Sequence, residues 1–557
     1  MSELNSESSI PATAKRRPAG FAALVGAGIL LSRISGLVRE KVFAHFLGNS
    51  DAAGVFKAAI RIPNLLQNLF GEGVLSASFI PVYAKLVAEG DEETAGRVAG
   101  IVASLLALVV SIIVLLGVLF TPELLIVIAP GFKGAVRELT ITVVRIMFPA
   151  IGLLVMSAWC LGILNSHRRF FLSYVAPVLM NVVMIATLVI FGLRSNGSAL
   201  AIAAAWGTVV GAAAQFLVQV PFVLRHEKRL RFGVDLSLAP AREVVRNFVP
   251  VVISRGVVQV SAYLDNLIAT LLGTAAVAGL GYAQTIYLLP ISLFGMSVAA
   301  SELPQMSSAV GTDEEVREVL RKRIERGLRQ ITFFVVPSAV AFILIGDVLV
   351  AALYQGGAFH SGDTRYVWYI LIGSTVGLVA ATLGRLYSSG FYALRDTRTP
   401  LRYALVRVAI TGALGYLFAI PLRPLLIDAM TFMHVVLPDV RGGTKSLGAI
   451  ALTATAGVAG WIEYWLLRHG LQKRIGRMVS AMGFEMKLWA SAIGGGALAV
   501  AADRFFFRSF AARLPLTHVV EAIAVAGIFG VVYFVGAIAL GVPEARATLG
   551  RLRLRPR

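Results

Sequence analysis

The stretch Leu30–Pro81, LLSRISGLVREKVFAHFLGNSDAAGVFKAAIRIPNLLQNLFGEGVLSASFIP, decides the fold. It is apolar and long enough for two membrane crossings, yet it carries Arg33, Arg39, Glu40, Lys41, Lys57, Arg61 and Glu72. A charge at the bilayer centre costs at least about 2.5 kcal/mol on insertion scales, so such residues face a bundle interior or an aqueous cavity rather than lipid. Pro63, Gly71 and Gly73 interrupt the second crossing and free backbone groups that only protein or water can satisfy. Asn64, Gln67 and Asn68 surround that break. The stretch reads as one wall of a polar path through a membrane.

The rest of the chain agrees. Its 557 residues are 57% hydrophobic and 15% charged, with a mean hydropathy of +0.78. That excludes a soluble globule of ordinary composition. About fourteen apolar stretches approach the twenty residues that span a ~30 Å hydrocarbon core. They lie near 21–47, 53–85, 98–120, 138–164, 172–193, 199–224, 244–272, 276–307, 328–353, 366–392, 400–421, 446–468, 485–503 and 516–541. The expected class is an all-α polytopic membrane protein.

The net charge of +20 sorts by side of the membrane. With Lys15, Arg16 and Arg17 inside, about 32 Lys/Arg fall on the side of the termini against about 10 opposite, a strong positive-inside bias. Both termini are therefore expected in the cytoplasm. The basic balance also suits anionic lipid head groups, and no aromatic-interleaved basic module points to nucleic acid. Residues 1–20 read as a cytoplasmic tail without a cleavable signal, leaving the first helix as an anchor. The single Cys160 excludes an intramolecular disulfide. No phosphate-binding glycine loop, H-E-x-x-H or nucleophile with its base is present, so neither an enzyme nor a cofactor is expected.

A basic loop over 225–243 divides the chain, and features recur across it. Pro63 is echoed by Pro290 and Phe132 by Phe359, each 227 residues later, and Gly162 by Gly390, 228 later. The pattern suggests two pseudo-symmetric six-helix lobes, 21–224 and 244–468, as a parallel repeat. Two further helices over 469–541 and a basic tail over 542–557 follow. That appended pair reads either as plain packing or as an apolar groove for a lipid tail. Residues 121–134 read as a short interfacial helix, and 311–329 as a surface amphipathic helix. Arg145, Arg255, Asp265, Glu302, Arg385 and Arg407 add intramembrane charges. Arg255 and Asp265 stand about 15 Å apart along one helix and need other partners.

SRISGLVRE (32–40), IPNLL (62–66), SFIPVYA (78–84), APGF (129–132), GILN (162–165), LYQGGAF (353–359) and GFYALRDTRTP (390–400) occur in this order. With them the chain resembles the MurJ/MviN family of lipid II flippases. The resemblance implies two six-helix lobes plus two added helices, and translocation of undecaprenyl-pyrophosphate-linked peptidoglycan precursor across the bacterial cytoplasmic membrane by alternating access. It implies a lipid-linked glycan substrate, contact with membrane lipids and possible cell-wall synthesis partners. Arg33, Arg39 and Arg61 match cationic cavity positions of the family, and guanidinium forks suit a pyrophosphate. Asn64 and Glu72 match positions that orient or balance them. The chain departs from the family at Gly54, where an acid is usual, at Gln67, where an arginine is usual, and at Gln284 and Thr285, in place of an acid and an arginine. Arg255 or Arg145 are candidates to replace the lost charge. On those departures the alternative is a paralogue moving another polyprenyl-linked oligosaccharide; from other classes the alternatives are a cation-coupled drug exporter and a non-transporting scaffold.

Overall fold

The stretch expected to form the second crossing is broken twice. After α1 (Ala19–Leu47) come α2 (Asp51–Ala59), α3 (Arg61–Phe70) and α4 (Glu72–Glu89) as separate helices. Ser50 opens α2 by accepting a hydrogen bond from the Ala53 amide at 3.2 Å, which satisfies one orphan donor of the first turn. The first break falls at Ile60, ahead of Pro63, because proline has no N–H for the Ala59 carbonyl and its ring crowds that oxygen. The second falls at Gly71, whose φ of −94° and ψ of −141° leave the helical region.

The structure, a computed structural model, describes residues 19–308, 312–478, 482–507 and 517–553. Among them the chain continues through α5 (Glu92–Leu119), α6 (Thr121–Ile128), α7 (Gly134–Ser166), α8 (Phe170–Gly192), α9 (Gly197–Leu217), α10 (Val220–His226) and α11 (Ala239–Leu272). The second part holds α12 (Thr274–Pro290), α13 (Ser297–Ser307), α14 (Asp313–Leu344), α15 (Gly346–Tyr354), α16 (Ser361–Thr375), α17 (Leu378–Ala393), α18 (Arg398–Ala419), α19 (Arg423–Phe432) and α20 (Gly448–Ile475). The helices α21 (Met482–Ala502), Thr517–Ala539 and Pro543–Arg553 complete an all-helical fold.

Ten helices among the described residues are long and apolar enough to cross a membrane, or eleven when α16 and α17, bent by 44°, count as one span. The first, second and seventh of the spans expected from the sequence are not among them. Side chains along stretches of α1 and α11 lie outside the described residues, and the second span is divided into α2, α3 and α4. A further difference lies at 311–329. From Asp313 this segment is not a separate surface helix but the first half of the continuous α14. Thr312 and Glu315 close a capping box at its start, and no proline follows until Pro337. Between α12 and α13 the backbone widens into a π-turn over Ile291–Met296, immediately after Pro290 has removed a helical donor.

α1 packs on α8, α8 on α9, and α7 on α5 and α9, while α16, α17 and α18 surround α20. The appended α21 and Thr517–Ala539 pack on each other and on α14 and α15, around Val340, Leu488 and Val525. α2 meets α12 and α4 meets α11 across the two parts. Two turns 226 residues apart dock reciprocally at one end of the bundle. A Cβ on Gly131 would stand 1.9 Å from the Thr270 carbonyl oxygen at the end of α11. One on Gly357 would stand 2.3 Å from that of His45 at the end of α1. The Ala358 amide donates to the same His45 oxygen at 2.7 Å.

At the opposite end, His167 follows α7 and its Nε2 lies 2.9 Å from the Tyr83 hydroxyl, which donates to Glu227 at 2.7 Å. Burial, and then the adjacent His226, hold the His167 pKa below its ordinary value. The neutral imidazole is favoured in the fold, so its stabilisation is present above the unfolded value of about 6.5 and is lost as pH falls below it. The thermal midpoint is expected to drop between about pH 7.5 and pH 5.5, and His167→Gln to flatten that step; differential scanning fluorimetry in detergent checks it.

Candidate functional site

A cavity of about 540 Å³ opens where α2 and α3 face α1, α8, α11 and α12. Its charged lining is Arg39, Glu40, Lys57 and Arg61, three cations against one carboxylate. Asn64, Gln67, Asn68, Asn181, Tyr263, Gln284 and Thr285 add neutral polar groups.

The charges are held in a fixed order. Glu40 is 9% exposed. One of its oxygens accepts from Arg39 at 2.9 Å and the other pairs with the Lys57 ammonium. Arg39 also donates to Asn181 Oδ1 at 3.1 Å, and the Asn181 amide donates to Ser35 Oγ at 2.9 Å. Lys57 Nζ sits 4.8 Å from the Phe43 ring centroid and 4.9 Å from that of Tyr282, so two aromatic faces share its charge. Across the cavity Arg61 donates to Gln284 Oε1 at 2.8 Å, and the Tyr263 hydroxyl bonds the Arg61 carbonyl. The break before α3 places Arg61 there. Starting the helix anew at Arg61 puts Arg61, Asn64, Gln67 and Asn68 at i, i+3, i+6 and i+7, on one face.

The structure therefore brings together Arg39, Arg61 and Asn64 of the residues expected from the sequence. It does not bring Arg33 or Glu72 to the lining. Arg33 lies about 9 Å nearer the N-terminal end of α1 and is exposed. Glu72 is exposed in the first turn of α4, where its carboxylate complements the helix dipole. Arg255 falls in α11 with its side chain outside the described residues. Arg145 points elsewhere, donating to the Val118 carbonyl at 3.2 Å. Glu40 and Lys57 were visible as charges, but nothing in their spacing showed that they meet. Asn181 makes two bonds and aims Arg39.

A second set of charges lies farther along. Arg407 pairs with Glu463 at 3.2 Å, and Asp265 interacts electrostatically with Arg407 and Arg61, which answers its need for partners other than Arg255. Glu302 pairs with Arg323 of α14 at 3.5 Å.

Comparison with known proteins decides the family. The family profile described as Lipid II flippase MurJ matches residues 43–510. The chain belongs to the MurJ family. A "Probable lipid II flippase MurJ" of Rhizobium tropici is 32% identical over 556 residues, covering 96% of each chain. A "Lipid II flippase MurJ" of Burkholderia cenocepacia is 29% identical, covering 80% of this chain and 82% of its own. Among solved structures, "Lipid II flippase MurJ, inward closed conformation" aligns with a TM-score of 0.69 at 20% identity, over 93% of this chain and 99% of that one. An inward-facing multidrug resistance MATE family transporter of the MOP superfamily aligns at 0.59 and 19% identity, over 81% and 99%. These likenesses give the MurJ-type fold, and the many apolar helices make this MurJ-family chain a multi-pass membrane protein.

The departures acquire local reasons. Gln284 is the acceptor for Arg61, a partner that itself brings no negative charge. Gln67 and Thr285 still line the cavity. Gly54 is buried where α2 meets α12, with the Thr274 backbone against it.

Proposed function

We infer that this chain translocates lipid II, carrying undecaprenyl-pyrophosphate-linked peptidoglycan precursor from the inner to the outer leaflet of the bacterial cytoplasmic membrane by alternating access. The observation that supports this reading is the excess of cations over carboxylate in a cavity between the two parts of the chain. Guanidinium groups stay charged when poorly hydrated and meet phosphate oxygens in forked pairs. Glu40 keeps Arg39 and Lys57 in place when no head group is bound. Arg33, nearer the N-terminal end of α1, is the first cation an incoming head group meets. The lobes are 21–224 and 244–468, and both termini are cytoplasmic, in line with the basic loops. With no nucleotide-binding motif, the drive is an ion gradient or the membrane potential, worth about 2.3 kcal/mol per charge per 100 mV.

The test is rescue of cells depleted of their own lipid II flippase. The intact chain is expected to restore growth. Arg39→Ala and Arg61→Ala, present in the membrane at parental levels, are expected to lose rescue and to lower lipid II translocation at least about tenfold, since each removes a charge-assisted bond worth roughly 1.5–3 kcal/mol. Full activity in both variants would remove the cavity from the mechanism. The paralogue reading has less support, because the family match runs through both lobes.

A further inference from the structure

A second concavity lies beside the cationic cavity and has the opposite chemistry. It is a groove of about 360 Å³ between α5 and α11, lined by apolar side chains alone. Val102, Leu106 and Val244 form its buried floor, and Val249 and Ile253 its exposed rim. Phe70, the last residue of α3, closes one side and stacks on Phe248 with ring centroids 6.3 Å apart.

The two sites share their walls. α3 gives Gln67 and Asn68 to the cavity and, about 5 Å farther along the same helix, Phe70 to the groove. α11 gives Tyr263 to the cavity and Val244 to Ile253 to the groove. Between them Gly256 of α11 faces Leu69 of α3, so the seam carries no side chain from α11 at that point. Leu236, from the basic loop that follows α10, reaches the groove mouth. The groove therefore opens at the basic-loop end, the inner-leaflet side in the topology inferred above.

A lipid-linked pyrophosphate is an amphiphile that must satisfy both ends at once. Its charged head is costly in hydrocarbon, and its prenyl chain loses favourable burial in a polar cavity. A cationic cavity joined to an apolar groove by two shared helices meets both demands. We propose that the groove between α5 and α11 holds the head-proximal isoprene units of the lipid substrate while its pyrophosphate occupies the Arg39 and Arg61 cavity. This rests on the lipid II reading. It also places the tail apart from α21 and Thr517–Ala539, which pack on each other and on α14 but leave Ile493, Leu498, Ile523 and Val531 exposed.

The test uses the full chain in nanodiscs and a polyprenyl-pyrophosphate glycan with a diazirine on its second isoprene unit. Labelled peptides are expected to cover 102–109 and 244–253, and unlabelled lipid II to compete the labelling away. Val249→Trp, an apolar substitution on the rim, is expected to weaken binding of this probe about tenfold, through loss of roughly two buried methylenes. Binding of the same head group on a single isoprene unit is expected to stay at the parental value. Labelling spread evenly over lipid-facing helices, as an ordinary bilayer acyl chain would give, overturns the proposal. Labelling concentrated on 482–539 does so too. If the single-isoprene head group fails to bind the parental chain, the lipid II reading falls instead; if it binds and the groove stays unlabelled, the groove alone is refuted.

Discussion

Lys57→Met is expected to destabilise the protein by about 3–5 kcal/mol and to abolish translocation. The substitution keeps much of the side-chain volume and removes one cation from a carboxylate that has almost no water. In the Lys57–Glu40 pair the side chains are 11% and 12% exposed, so solvent screening gives little relief. Breaking a buried pair by deleting one member costs that much because the other charge is left behind. Arg39 still reaches Glu40 at 2.9 Å, which sets the loss toward the lower end. The double variant Glu40→Gln/Lys57→Met should recover most of the stability, since removing both charges of a buried pair is often neutral or better. It should not recover transport, because Arg39 loses the group that holds it. Thermal unfolding in detergent across this cycle, alongside rescue of depleted cells, separates the two effects. A single variant as stable as the parent would mean that the pair contributes nothing to the fold.

That pair also marks the limit of what the sequence shows. Charges confined to an apolar stretch announce a cavity, since lipid will not take them, and Pro63 with Gly71 announces the break that turns α3 inward. Periodicity on one helix then explains Arg61, Asn64 and Gln67 together. Glu40 and Lys57 are different. They sit on separate helices joined by the turn at Gly48 to Ser50, and their meeting depends on the angle between α1 and α2, which no residue spacing encodes. Arg33 fails for a related reason. It lies about 9 Å before Arg39 along α1, and how far the cavity reaches along that helix depends on how the helices pack, not on spacing within α1. The second span expected from the sequence is not one apolar helix, because the breaks at Ile60 and Gly71 divide it. Gln284 is legible only afterwards: in the sequence it is a lost acid, and in the structure it is an uncharged holder for Arg61.

Gly54 carries the second large effect. A Cβ there would stand 2.4 Å from the Thr274 carbonyl oxygen and 2.6 Å from Thr274 Cβ. Backbone cannot yield as a flexible side chain would, so α2 and α12 must separate for any larger residue. Beside this contact Thr274 is hydrogen-bonded to Asp51, and the reciprocal turns at Gly131 and Gly357 pack at the same end. Gly54→Ala is expected to cost about 1–3 kcal/mol by overpacking. Gly54→Asp, which installs the acid expected here from the family resemblance, is expected to cost more than about 4 kcal/mol, because overpacking is joined by an unpaired charge. The separation itself can be read with cysteines at positions 51 and 274, whose native side chains are in contact. The native Cys160 is 0% exposed and does not compete. The pair should oxidise readily in the parent and at least about tenfold more slowly with Gly54→Ala, since a disulfide tolerates little change in Cβ separation. If Gly54→Ala leaves both oxidation and stability at parental values, α2 and α12 do not form a rigid contact, and the absence of an acid at this position has some cause other than space. If oxidation slows while the fold survives, the glycine is what lets the two parts of the chain close on each other at this end. Pairing Gly54→Ala with the rescue assay then shows whether translocation depends on that closure.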